Sequence, residues 1–146
     1  MKIKLEKISN VEYPDVIEIW ESAVRATHNF LIEEDIVSIR PYVTIGLEQM
    51  PTVVTARDEA GQLCAFMGIE GEKIEMLFVH AGARGKGIGK QLINLAVQEL
   101  GVQSVDVNEQ NESNVGFYQH MGFSIMSRSE TDDQGRPFPI LHLRLN

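Results

Sequence analysis

The chain has 146 residues, 43% hydrophobic and 23% charged, which is the size and balance of a single domain, residues 1–146, with its own core. Its formal net charge of −8 argues against nucleic acid or an anionic membrane as partner, since both need positive surface, and suits a cationic substrate such as an amine. One cysteine, Cys64, excludes a disulfide framework and a cysteine-rich metal site; no apolar run is long enough for a bilayer and no signal peptide is visible, so a cytoplasmic location is expected.

In chain order, residues 2–8 alternate weakly and predict a strand with Ile3, Leu5 and Ile8 inward. Asn10 is a cap for the segment that follows. Tyr13, Val16, Ile17, Trp20, Ala23 and Val24 recur at helical spacing, with Pro14 in the first turn, where its missing N–H costs nothing. Thr27 to Leu31 breaks that helix, and a second runs from about Glu33 to Leu47, with Pro41 marking either a kink or a separate turn.

Val53–Arg57, Leu63–Ile69 and Ile74–Val79 read as a three-strand meander joined at Asp58–Gly61 and Gly71–Lys73. Cys64 falls in this apolar pattern, which predicts a buried thiol. Residues 87–100 form a helix ended by Gly101. Val102, Val105 and Val107 predict a strand. Ser113 to Met121 is helical and ends at Gly122, and Phe123–Ser129 with Pro139–Leu145 form a last pair of strands. The order gives a mixed α/β sheet with helices on its faces, too antiparallel for a doubly wound fold.

The richest segment is Arg84-Gly85-Lys86-Gly87-Ile88-Gly89-Lys90, set between a strand and a helix. A Walker A loop would place glycine at His80 or Arg84 and a hydroxyl residue at Gln91, so a P-loop is excluded. A dinucleotide fingerprint would place its third glycine at Lys90; Asp106 lies at a fitting distance for a ribose-binding acid, but the strand-to-helix turn is too long. A helix N-terminus still offers unpartnered amides and a favourable dipole to a pyrophosphate, with Arg84, Lys86 and Lys90 adding charge.

Arg84 to Gly89 matches the acyl-coenzyme A motif [RQ]-x-x-G-x-[GA] of the GNAT superfamily of N-acetyltransferases, which the chain closely resembles. Asn111 to Phe123 resembles the family's N-x-x-A-x-x-F-Y-x-x-x-G-F segment, with Asn114 where alanine is usual. Ala81-Gly82-Ala83 replaces a more usual proline-containing turn. Ala26-Thr27-His28 and Val107 to Asn111 resemble segments of its small bacterial YjaB-like members.

The resemblance implies a sheet splayed between its fourth and fifth strands, with acetyl-coenzyme A as co-substrate and no metal. Backbone groups of Leu77, Phe78 and Val79 would pair with the pantetheine arm, and one amide, of Phe78 or Val79, would face the thioester oxygen. The pyrophosphate would rest on residues 85–90, that is Gly85, Lys86, Gly87, Ile88, Gly89 and Lys90, beside Arg84. Asn108 and Asn111 would touch the arm and Phe117 would wall it, while Asn111 also caps the helix after it. Tyr118 would protonate the leaving thiolate. The acceptor, a small-molecule amine or a peptide or protein amine, needs a base, and Glu75, His28 and a water chain all remain open for that role. Phe30 and Trp20 are candidates for an acceptor wall, with Trp20 also on the core stripe. His80, His120 and His142 lack zinc spacing, and His142 reads as structural.

The reading is an N-acetyltransferase working by direct attack in a ternary complex. Its alternative is a non-catalytic acyl-coenzyme A-binding sensor. Either a monomer or a homodimer is compatible with the sequence.

Overall fold

The computed structural model describes residues 1–146 and contains seven strands and four α-helices. They are β1 (Lys2–Leu5), α1 (Tyr13–Thr27), α2 (Glu33–Glu48), β2 (Thr52–Arg57), β3 (Leu63–Glu70), β4 (Lys73–Val79), α3 (Ile88–Glu99), β5 (Ser104–Asn108), α4 (Glu112–His120), β6 (Phe123–Ser129) and β7 (Ile140–Leu145). The strands form one sheet in the order β1-β2-β3-β4-β5-β7-β6, antiparallel at every neighbouring pair except β4–β5, which is parallel. No helix is long and apolar enough to cross a membrane.

Each face of the sheet carries its own core. On one, Val54, Ala65, Met67, Ile74, Val105 and Leu143 meet Ile88, Leu92, Ile93 and Ala96 of α3 and Tyr118 of α4. On the other, Val53 and Phe66 meet α1 and α2. Helix α1 shows why the sequence folds this way: Val16, Ile19, Trp20, Ala23 and Val24 are buried at spacings of three and four, so one stripe faces the sheet. Full burial of a side chain such as Leu92 contributes about 1.5–3 kcal/mol. Trp20 belongs to this core rather than to an acceptor wall.

Several local expectations are corrected. Strand β1 stops at Leu5, and on this edge strand Leu5 is 54% exposed rather than inward, whereas Ile8 beyond it is buried as expected. Asn10 does not cap α1; it opens a 3-10 turn, Asn10–Glu12, and neither Ser9 nor Glu12 makes a side-chain cap. Pro41 neither kinks α2 into two nor starts a new turn. It lies inside a continuous helix at an exposed position, where water can satisfy the carbonyl that loses its partner. At the start of α2, the Asp35 carboxylate accepts from the Ile32 amide at 3.0 Å. Cys64 is only partly buried, and Val102 is buried but precedes β5.

Candidate active site

The site begins where β4 and β5 part. Their parallel pairing covers only Lys73 with Ser104 and Ile74 with Val105. On its other edge β4 stays paired with β3 from Met76 to Val79. The register jumps there from Ile69↔Ile74 to Gly68↔Met76, so Glu75 is an extra residue, a β-bulge. The bulge lies where pairing with β5 stops, and the edge of β4 from Met76 to Val79 has no strand partner on that side. The bulge also breaks the alternation of an ordinary strand: Ile74, Leu77 and Val79 pack on the α3 side, and Met76 and Phe78 on the other. A cleft of about 430 Å³ opens in the gap. Leu77, Phe78, Val79 and Asn108 line it, with free backbone groups that an extended ligand can pair with as an added strand.

The glycine stretch closes one end. Gly85 and Gly87 have φ of +80° and +76°, a region open to glycine, and a Cβ on either would meet nothing within 4 Å. Gly87 is the N-cap of α3 in the left-handed conformation. The first acceptor bond of this turn runs from the Gln91 amide to the Gly87 carbonyl at 3.0 Å. The amides of residues 85–90 before it find no acceptor within the chain. Six consecutive donors at a helix N-terminus, beside exposed Arg84, Lys86 and Lys90, fit a pyrophosphate. Gly89 has an ordinary helical backbone, and an added Cβ there would touch Phe117 only at 3.6 Å, so the last motif position tolerates alanine sterically.

Helix α4 supplies the opposite wall. Asn111 is 3% exposed, and its Oδ1 accepts from the Asn114 amide at 3.3 Å and from the Ser113 hydroxyl at 3.1 Å, which caps the helix. Tyr118 is 3% exposed and held edge-on by Phe117 at 5.3 Å and Phe123 at 5.8 Å. Its hydroxyl has no partner in the chain, yet no side-chain oxygen is sealed from solvent unpaired, so the hydroxyl opens into the cleft it lines. Burial pushes its pKa well above the ordinary tyrosine value, so it keeps its proton.

Glu75 lines the same cleft with its side chain 28% exposed. Burial, joined by the nearby Asp106 carboxylate, pushes its pKa up against the pull of Lys73. The Lys73 ammonium lies 3.6 Å from Glu75 and 2.5 Å from Asp106. Asp106 also meets His142 Nδ1 at 2.7 Å, and His142 Nε2 meets the Ser129 hydroxyl at 2.7 Å. His142 therefore has the structural setting expected of it, in a polar network. His28 lies across the cleft at the end of α1, largely buried, and burial lowers its pKa to about 4. Phe30 stacks at an angle on His28 at 5.3 Å and on Phe138 of the β6–β7 loop at 5.8 Å, which joins two loops beside the cleft. No group of three or more His, Cys, Asp or Glu side chains is arranged to hold a metal.

The sequence profile described as acetyltransferase (GNAT) domain matches residues 50–125. Two curated relatives are peptidyl-lysine N-acetyltransferases YjaB. That of Salmonella typhimurium is 37% identical over 98% of each chain, and that of Escherichia coli is 36% identical over 98% of this chain and 97% of its own. The solution structure of apo-form YjaB from Escherichia coli superposes with a TM-score of 0.88 at 35% identity, covering 99% of this chain and 97% of that one. The chain belongs to the GNAT acetyltransferase family. It is an acetyltransferase, and its splayed mixed sheet is the family fold. A Thermoplasma acidophilum PaiA N-acetyltransferase, solved in complex with coenzyme A, shares that fold at a TM-score of 0.69 and 21% identity, over 97% of this chain and 98% of that one.

The structure gathers the expected site residues around a single cleft: His28, Glu75, Leu77, Phe78, Val79, Arg84, Gly85, Gly87, Ile88, Gly89, Lys90, Asn108, Asn111, Phe117 and Tyr118 all line it. Lys86 is exposed in the glycine loop beside it. Sequence does not mark Lys73, Thr27 or Ser113 as site residues, and it marks Asp106 only as a ribose-binding acid. Their partners are distant in sequence or emerge only from the cap geometry.

Proposed function

We propose that this acetyltransferase transfers an acetyl group from acetyl-coenzyme A to the ε-amine of a lysine in a peptide or protein, by direct attack in a ternary complex. The observation that carries the reading is the union, in one cleft, of an unpaired strand edge, a cradle of six unpartnered amides and a protonated, inward-facing tyrosine. The lysine acceptor is supported by the two relatives, which are 37% and 36% identical over 98% of the chain.

The pyrophosphate rests on the amides of residues 85–90, with Arg84, Lys86 and Lys90 supplying charge. The pantetheine arm lies along Leu77–Val79, with Asn108 and Asn111 as side-chain contacts and Phe117 as a wall. An amide of Phe78 or Val79 faces the thioester oxygen and stabilises the charge that develops there. Glu75 takes a proton from the acceptor ammonium, directly or through water, which frees the nitrogen lone pair. The nitrogen forms a bond to the thioester carbon, the carbon–sulfur bond breaks, Tyr118 Oη–H gives its proton to the departing thiolate, and the proton still held by the acylated nitrogen passes through water to the tyrosinate, leaving a neutral amide, coenzyme A thiol and a reprotonated Tyr118. Proximity supplies much of the rate. Glu75 suits the base role better than His28, whose nitrogens are both engaged within the chain. Cys64 lies outside the cleft, so no acyl-enzyme on it is part of the path.

The test is to incubate the protein with acetyl-coenzyme A and a panel of lysine peptides, polyamines and aminoglycosides, reading free thiol and locating the acetyl group by mass spectrometry. The expected result is acetylation on a lysine ε-nitrogen. Binding of acetyl-coenzyme A with no transfer to any amine would instead support a sensor.

A further inference from the structure

We propose that His28 is a positioning residue: a neutral imidazole, fixed as the Nδ1–H tautomer, that accepts from Asn111 across the cleft and turns an Asn111 N–H toward the pantetheine arm. The proposal rests on the reading that Asn111 contacts that arm.

The hydrogen bonds leave a single assignment. The Asn114 N–H can only donate, so the Asn111 atom facing it at 3.3 Å is the carbonyl Oδ1. Ser113 donates to the same oxygen at 3.1 Å. The Asn111 amide nitrogen therefore faces His28 Nε2, at 3.4 Å, and that nitrogen can only donate. His28 Nε2 must then be bare. In a neutral ring the proton sits on Nδ1, which meets the Thr27 hydroxyl at 2.8 Å. Thr27 can accept it, because its own hydroxyl proton goes to the Ala23 carbonyl at 2.8 Å. The chain of donors runs without conflict from Asn111 to His28, Thr27 and Ala23. A proton on Nε2 would face the Asn111 N–H head-on, and burial keeps the ring neutral at physiological pH.

The link spans 83 residues of sequence and joins the end of α1 to the cap of α4, the helix that carries Phe117 and Tyr118. One N–H of the Asn111 amide is used on His28. The other remains, and with Oδ1 held by the cap, Asn111 can present only a donor to a ligand. The pantetheine arm carries two amide carbonyls, which are acceptors.

Two measurements test this. Long-range nitrogen–proton correlation spectra of the intact protein at neutral pH should show His28 with a protonated Nδ1 and a bare Nε2; a protonated Nε2 overturns the proposal without reference to any ligand. Kinetics then compare His28→Gln, which can keep an acceptor near the Nε2 position, with His28→Leu, which cannot. The leucine variant is expected to raise the KM for acetyl-coenzyme A about tenfold, with kcat less affected, and the glutamine variant to stay within about threefold of the parent. Equal impairment of both variants, or an unchanged KM in His28→Leu, overturns the proposal. Asn111→Ala separates the underlying reading: an unchanged KM there removes the arm contact, while the tautomer result still stands or falls alone.

Discussion

His28 shows how much a side chain's chemistry depends on where the fold puts it. From sequence, a histidine at the end of a helix is a candidate base because of its ordinary pKa. Burial lowers that value to about 4, so the folded chain resists a proton that the unfolded chain accepts near 6.5. The folded pKa lies below the unfolded one, so stability is complete above about pH 6.5 and is lost as the pH falls toward 4. The loss from this residue is about 2 kcal/mol by pH 5 and about 3 kcal/mol by pH 4. Urea unfolding at pH 7.5 and pH 5 checks it: the pH dependence should flatten in His28→Gln.

Glu75 has the opposite sign. Its folded pKa is raised, so its ionised form is disfavoured in the fold, and stability contributed by the protonated form declines as the pH rises through the folded value. Glu75→Gln is therefore expected to raise the urea midpoint slightly at pH 7.5 while lowering kcat about a hundredfold, and to remove the acidic limb of the rate profile. Sequence exposed Tyr118, Asn111 and the glycines because their spacing is local. It could not expose the ion pair of Lys73 with Asp106, which exists because parallel pairing at Ile74 and Val105 brings two separate strands together.

At the scale of elements, helices and strands were legible wherever one face is buried, as in α1 and β3, because burial imposes a period. The bulge at Glu75 was not. Ile74-Glu75-Met76 reads as ordinary alternation, and only the pairing with Gly68 and Ile69 reveals the extra residue. The exposed end of β1 was hidden for a similar reason, since an edge position is a property of the sheet and not of the strand. The turn into α3 was fully legible, because alternate glycines have few other uses. Gly87→Ala tests that element. A φ of +76° costs a residue with a Cβ about 1 kcal/mol, and the shifted amides should weaken acetyl-coenzyme A binding about tenfold by calorimetry. Gly89→Ala, in an ordinary helical conformation, should bind nearly as the parent does.

Over the whole molecule, one core covers each face of the sheet while the gap between β4 and β5 remains open to ligand. A net charge of −8 surrounds one local cluster of cations at the glycine loop. That distribution favours a cationic acceptor in general and concentrates attraction for the anionic donor in one place. Added salt should therefore raise the KM for a lysine peptide severalfold between about 50 and 500 mM. Direct transfer in the cleft needs a proton for the departing thiolate, and Tyr118 is placed to give it. That role is tested most directly by Tyr118→Phe, with kcat measured on a lysine peptide and acetyl-coenzyme A affinity measured by calorimetry on the same preparation. The expected kcat is about a hundredfold lower with affinity within about twofold; an unchanged kcat would exclude Tyr118 as the proton donor.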